Sequence, residues 1–302
     1  MQKVLVIVGP TSSGKTGLAV ELAKRFGGEV ISADSRQVYR GLDIGTGKVT
    51  KREMKGVPHH VLDVASPKRV FSAAEYVREA REALDAVQKR KKLPIVAGGT
   101  GFYIDSLLGS ISLPDVPRNA KLRERLAQKS ASQLFAMLRK ADQKRARMLS
   151  TPSERNNKVR LIRAMEIALA KRTPKPTDAQ STTYDVLWLG ITVSKQSLEK
   201  KIRARLRSRL KQGMLAEGRR VHAEGLSYKR MEALGLEYRA MALFLQGKLS
   251  RREMEERLAM DIVHYAKRQM TYWKRNKNIR WVERPTLAKV TRTIERWLAT
   301  PR

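Results

Sequence analysis

Five apolar residues, Val4 to Val8, run directly into Gly9-Pro10-Thr11-Ser12-Ser13-Gly14-Lys15-Thr16, and an amphipathic pattern carried by Leu18, Leu22 and Phe26 follows. The apolar run reads as a strand buried on both faces, as in a parallel sheet. The eight residues after it match the pattern glycine, four residues, glycine, lysine, serine or threonine. A buried strand, such a loop and a helix in this order call for an α/β fold, with helices packed on the faces of a parallel sheet. The glycines let successive N–H groups converge on one anion, and the helix N-terminus adds its partial positive charge. Lys15 supplies a point charge to phosphoryl oxygens, and Thr16 offers a hydroxyl to Mg²⁺. The loop therefore predicts a polyphosphate ligand with Mg²⁺, without choosing between a nucleoside triphosphate and another diphosphate ester.

The rhythm continues downstream. Val30 and Ile31 start a short strand ending at Asp34, and residues 72–92 read as a helix with Ser72 and Glu75 forming a capping box. Pro94 to Ala97 form another buried strand before Gly98-Gly99-Thr100, and Phe102 to Leu108 resume helical spacing. Residues 118–172 look wholly helical, Thr173 to Thr183 read as a linker, and Val186 to Val193 return to strand composition. The chain thus leaves the sheet and rejoins it. Residues 1–115 and 185–302 are expected to form the core, and 116–184 a helical insertion with its linker. Helices fill 195–275, stopped near Gly213, Gly225 and Gly247, and a strand near Ile279 to Val282 precedes a last helix.

Charge separates these regions. The chain has 302 residues and a net charge of +34, with 41% hydrophobic residues, which excludes an unfolded polyelectrolyte. Residues 1–115 carry 18 basic and 12 acidic side chains, 116–194 carry 17 and 6, and 195–302 carry 28 and 11. A polyanion, nucleic acid above all, is the partner such an excess favours, and it belongs to the later two thirds. The absence of cysteine removes disulfides and thiolate metal sites. No apolar stretch near the N-terminus is long enough to span a bilayer, so a cytoplasmic protein without a membrane partner is expected.

Asp34 and Thr100 each follow a strand predicted to lie parallel to the first, so both should converge on the phosphate loop. Asp34 suits a Mg²⁺ ligand, a general base or an N-cap, and Thr100 an N-cap. His59, His60, His222 and His264 lack metal-ligand spacing, which favours structural or surface roles. Asp63 has the chemistry of a second Mg²⁺ carboxylate, supported only by a weak strand at Val61 and Leu62. Arg203, Arg205, Arg207 and Arg209 alternate along a helix and read as a solvated surface. The basic residues from Arg139 to Arg163 favour contact with a phosphate backbone. Tyr265, Tyr272 and Trp273 interleave with Lys267, Arg268, Lys274 and Arg275, a mixture that stacks on bases or packs a core.

Several segments in order resemble the tRNA dimethylallyltransferase family. They are GPTSSGKT at 9–16, SADSRQVYRGLDIGTGK at 32–48, PHHVLDV at 58–64, FSAAEY at 71–76, GGTGFYIDSLLG at 98–109 and AKRQMTYWKR at 266–275. The resemblance runs essentially end to end. It implies a P-loop NTPase-like α/β fold that takes dimethylallyl diphosphate, with a basic helical insertion gripping the anticodon stem-loop of tRNA. By that similarity Gly9, Pro10, Thr11, Ser12, Ser13, Gly14, Lys15 and Thr16 hold the diphosphate, with Thr16 on Mg²⁺. Asp34 becomes the general base at adenine N6, and Thr100 and Lys15 assist the chemistry. Asp34, Ser35, Arg36, Gln37, Thr100, Arg123, Val159, Arg160, Leu161, Ile162, Arg163, Arg239, Arg268 and Gln269 map onto tRNA-contacting segments. Family members carry an arginine ahead of a glycine-tyrosine-arginine segment, where this chain has Leu234. Arg230, one turn earlier, or Arg239 is then expected to supply the second cation at the diphosphate. The implied activity is prenyl transfer to the adenosine 3′ of the anticodon by a monomer. Transfer to free adenine nucleotide, a P-loop kinase or ATPase, and a non-catalytic RNA-binding protein are the other readings.

Overall fold

The computed structural model describes residues 1–149, 151–170, 184–283 and 287–300, which group into two compact units. The first comprises Met1–Ile111 and Thr182–Arg302. Its sheet has six strands: β1 (Gln2–Val8), β2 (Gly28–Ala33), β3 (His59–His60), β4 (Leu93–Gly98), β5 (Tyr184–Thr192) and β6 (Arg280–Glu283). All pairings are parallel, in the order β3-β2-β4-β1-β5-β6. β1 sits between β4 and β5, which explains its composition: Val4, Val6 and Val8 enter one hydrophobic core, and Leu5 and Ile7 enter the core on the opposite face.

Helices α1 (Lys15–Phe26), α2 (Lys51–Met54) and α3 (Ala73–Lys89) connect the first four strands, and α4 (Gly101–Leu107) follows β4. α1 stops where its cap residue, Gly27, turns left-handed. α3 begins with the expected capping box, the Ser72 hydroxyl accepting from Glu75 N and the Glu75 carboxylate accepting from Ser72 N. Tyr76, Ala80, Leu84 and Val87 supply its buried stripe.

The second unit, Ser112–Ser181, contains α5 (Ala120–Ala127), α6 (Ala131–Ala141), α7 (Gln143–Met148), α8 (Pro152–Arg155) and α9 (Lys158–Ala168) around a small core that includes Leu126, Leu134, Leu138 and Leu161. Its boundary falls after Ile111, four residues before the position expected from the sequence. The predicted linker, Thr173 to Thr183, lies outside the described residues.

After β5 the chain adds α10 (Lys195–Lys211), α11 (Met214–Ala223), α12 (Tyr228–Leu234), α13 (Leu236–Leu245) and α14 (Arg251–Trp273), then β6 and α15 (Leu287–Ala299). Gly213, Gly225 and Gly247 all adopt positive φ at helix ends, as expected. Among the described residues no helix is long and apolar enough to cross a membrane.

Candidate active site

The C-terminal ends of β1, β2 and β4 meet at one edge of the sheet, and a cavity of about 340 Å³ opens there. Thr11, Ser12, Gly14, Lys15 and Thr16 line it together with Asp34, so the anion loop and the carboxylate share one space. Gly9 makes the first turn at a φ of 147°, and a Cβ there would lie 2.8 Å from the Ile191 carbonyl oxygen. At the other end of the loop Leu18 N donates to Gly14 O at 3.1 Å. That leaves the N–H groups of Lys15, Thr16 and Gly17 at the helix terminus beside the cavity, with no carboxylate in the first turn to claim them.

Lys15 turns back to donate to the Pro10 carbonyl at 2.6 Å. Burial lowers its pKa to about 8; Asp34 raises it and Arg205 lowers it further, burial outweighing both. The free site therefore holds a full ammonium below that value and loses it above. A bound polyanion favours the charged form, so affinity for dimethylallyl diphosphate with Mg²⁺ should fall roughly tenfold per pH unit once the pH passes about 8. Calorimetric titration from about pH 6.5 to 9.5 checks this, and a profile flat to the upper limit contradicts it.

Asp34 is fixed by its own backbone. Its Oδ1 accepts from Arg36 N at 2.8 Å and from Gln37 N at 3.4 Å, an N-cap-like turn that orients the group, while Oδ2 has no hydrogen bond among the described residues. Of the roles considered for Asp34, the capping one is occupied by Oδ1. Thr100 does not cap α4 with its side chain. Its hydroxyl accepts from Ser35 N at 3.1 Å and ties the β4–α4 turn to the Asp34 turn. Tyr265 in α14 lines the cavity, its pKa pushed up to about 12 by burial first and Asp34 second, so it remains a neutral phenol.

Other assignments move. Gly9, Pro10 and Ser13 do not line this cavity, and the Ser13 hydroxyl is buried without a partner among the described residues. Gln269 braces the site: its Oε1 accepts from Thr11 N at 2.8 Å and its Nε2 donates to Gly99 O at 3.0 Å, which occupies both ends of the amide. Arg268 is exposed and lies over the Tyr265 ring, 5.7 Å from its centroid.

Neither Arg230 nor Arg239, the expected candidates for a second cation, lines the cavity. Arg230 donates to the carbonyls of Pro67 and Arg69, and Arg239 is exposed and donates to Glu232 O. Arg205 and Lys201 line the cavity instead. They stand one turn apart on α10, and Arg209 continues the same face. Alternation of four arginines suggested a solvated helix, whereas the four-residue spacing Lys201, Arg205, Arg209 was the informative pattern. Arg203 and Arg207 do lie off this face, Arg203 pairing with Glu199.

Asp63 is not in the cavity; it pairs with Lys48. Among the described residues no cluster of three or more histidines, cysteines or carboxylates suits a metal. The loop hydroxyl of Thr16 nonetheless suits Mg²⁺, which binds few protein groups and completes its shell with substrate phosphates and water. His60 bonds Glu29 and His222 stacks on Tyr228, structural roles as expected.

In the second unit Arg123 forks onto Glu166, at 2.7 and 2.6 Å, and Arg163 adds 3.2 Å to the same carboxylate. Burial alone would raise the Glu166 pKa, but the two guanidinium groups and Asn119 N hold it at about 2. Arg123 and Arg163 therefore brace the unit. Leu161 is fully buried and Ile162 packs against the same core. Val159, 73% exposed, and Arg160 face outward.

Known proteins resemble this chain over most of its length. Residues 37–276 match the family described as IPP transferase. The chain is 42% identical to tRNA dimethylallyltransferase 2 of Treponema denticola, over 92% of this chain and 95% of that one. It is 38% identical to tRNA dimethylallyltransferase of Leuconostoc citreum, over 99% of this chain and all of that one. The crystal structure of a Bacillus halodurans tRNA isopentenylpyrophosphate transferase matches with a TM-score of 0.73 at 32% identity, covering 99% and 96% of the two chains. A eukaryotic dimethylallyltransferase acting on tRNA matches with a TM-score of 0.80 at 25% identity, covering 97% of this chain and 78% of that one. By its sequence, this chain belongs to the IPP transferase family.

Proposed function

We propose that the protein transfers the dimethylallyl group of dimethylallyl diphosphate to N6 of the adenosine on the 3′ side of the anticodon in tRNA. The observation that carries this is the single cavity lined by both the anion loop and Asp34. Its volume lies in the range of small-molecule sites. The adenine amine is a poor nucleophile because its lone pair is delocalised into the ring. As the N6–C1 bond forms and the C1–O bond to diphosphate breaks, the N6 proton passes to Asp34 Oδ2. Lys15, Arg205 and the N–H groups of the α1 terminus stabilise the departing diphosphate. Thr16 would hold Mg²⁺, which supplies charge neutralisation on the phosphoryl oxygens.

Reaching N6 requires the base to leave its stack, which costs least in a single-stranded loop. The exposed basic residues of α5 to α9, Arg160 among them, supply contacts to the anticodon stem-loop backbone. All cavity groups come from one unit of this chain, which supports a monomeric enzyme, and a tRNA substrate supports a cytoplasmic location.

Purified protein incubated with Mg²⁺, labelled dimethylallyl diphosphate and total tRNA should place label on adenosine recovered after nuclease digestion, and AMP should accept none. Label in AMP but not in tRNA would assign a free-nucleotide transferase. Phosphate transfer from ATP would assign a kinase.

A further inference from the structure

Glu217 in α11 is buried, at 6% exposure, and its carboxylate holds a loop distant in sequence. Oε2 accepts from Asp43 N at 2.9 Å and Ile44 N at 2.8 Å, and Oε1 accepts from Gly45 N at 2.8 Å. The Tyr238 hydroxyl of α13 also donates to Oε1. Three consecutive backbone donors and a phenol thus converge on one side chain. Arg209 grips the same loop through its carbonyls, donating Nη1 to Gly45 O at 2.7 Å.

Two residues further on, Gly47 adopts a left-handed φ of 59°, and a Cβ there would lie 2.6 Å from Arg205 Nη2. The Gly47 carbonyl accepts from that Nη2 at 3.0 Å and from Gln37 Nε2 at 3.2 Å. Both donors line the cavity. One carbonyl therefore aims a cation and an amide of the site, and the loop that carries it is anchored by Glu217 from outside the site.

We infer that Glu217 is a positioning residue for the donor diphosphate, acting through the 43–47 loop and Arg205; this rests on the donor-binding reading of the cavity. Glu217→Gln preserves volume but turns one acceptor oxygen into an NH₂ facing backbone donors. Calorimetry of dimethylallyl diphosphate with Mg²⁺, without tRNA, compares the wild type, E217Q, R205A and the double variant. The expected losses of affinity are about tenfold for E217Q and about a hundredfold for R205A, with the double variant no weaker than R205A alone, because the two residues act in series. In steady state, E217Q raises the donor KM about tenfold, slows transfer in the same direction as R205A and leaves tRNA affinity within about twofold, a split that general loosening of the fold would not produce. Tyr238→Phe removes one donor without changing charge and should weaken the donor about threefold, so it carries the test if E217Q does not fold. Wild-type donor affinity in E217Q, or in Y238F when E217Q is unfolded, overturns the inference, as do losses that multiply in the double variant. A wild-type protein that binds no diphosphate sinks the donor reading itself.

Discussion

Replacing Asp34 by asparagine should lower kcat for prenyl transfer about a thousandfold while tRNA and donor affinities stay within about twofold. Asparagine keeps an oxygen for the bonds from Arg36 N and Gln37 N, so the turn at the end of β2 survives, but it cannot take a proton from N6. Alanine would confuse the two roles by releasing the turn as well. Single-turnover transfer measured beside calorimetric binding separates chemistry from affinity. A variant within tenfold of the wild-type rate removes Asp34 as the base.

Arg205→Ala should raise the donor KM about a hundredfold and slow transfer as well, because the lost cation acts on bound donor and more strongly on the leaving diphosphate. Burial first, and then Arg209, lower the Arg205 pKa, opposed by Asp34, Glu237 and Glu53. Two neighbouring cations repel each other until an anion arrives, so the pair favours diphosphate. Arg205→Lys should recover part of the loss through its charge, without the planar fork that reaches both Gly47 O and the ligand. Alanine at Arg207, off this face, should leave the donor KM within about twofold. Equal effects at 205 and 207 would reduce the assignment to general surface charge.

The strand, loop and helix of residues 4–26 were legible because each carries a local signal: a continuous apolar run, a glycine-lysine pattern and a four-residue spacing. The Ser72 and Glu75 capping box was legible for the same reason. β3 was not, since two histidines paired to Val30 and Ile31 have no periodicity to read. The convergence of Asp34 with the anion loop followed from parallel strands sharing one edge. Arg205 was missed because tertiary packing selects one face of α10, and the striking arginine alternation points to no single face. Arg123 and Leu161 illustrate the converse: a basic or helical segment that reads as an RNA surface also has to brace and fill its own small core, and these residues do so. Gln269 carries no sequence signal for bridging Thr11 to Gly99, because its partners come from loops far away in the chain.

A crystal structure of the protein with an anticodon stem-loop, Mg²⁺ and a non-reactive thiolo analogue of dimethylallyl diphosphate addresses the shared cavity without kinetic inference. The diphosphate should lie on residues 11–16 against Lys15 and Arg205, with the flipped adenine N6 within hydrogen-bonding distance of Asp34 Oδ2. An adenine bound outside the cavity, or a diphosphate seated away from the loop, would contradict it.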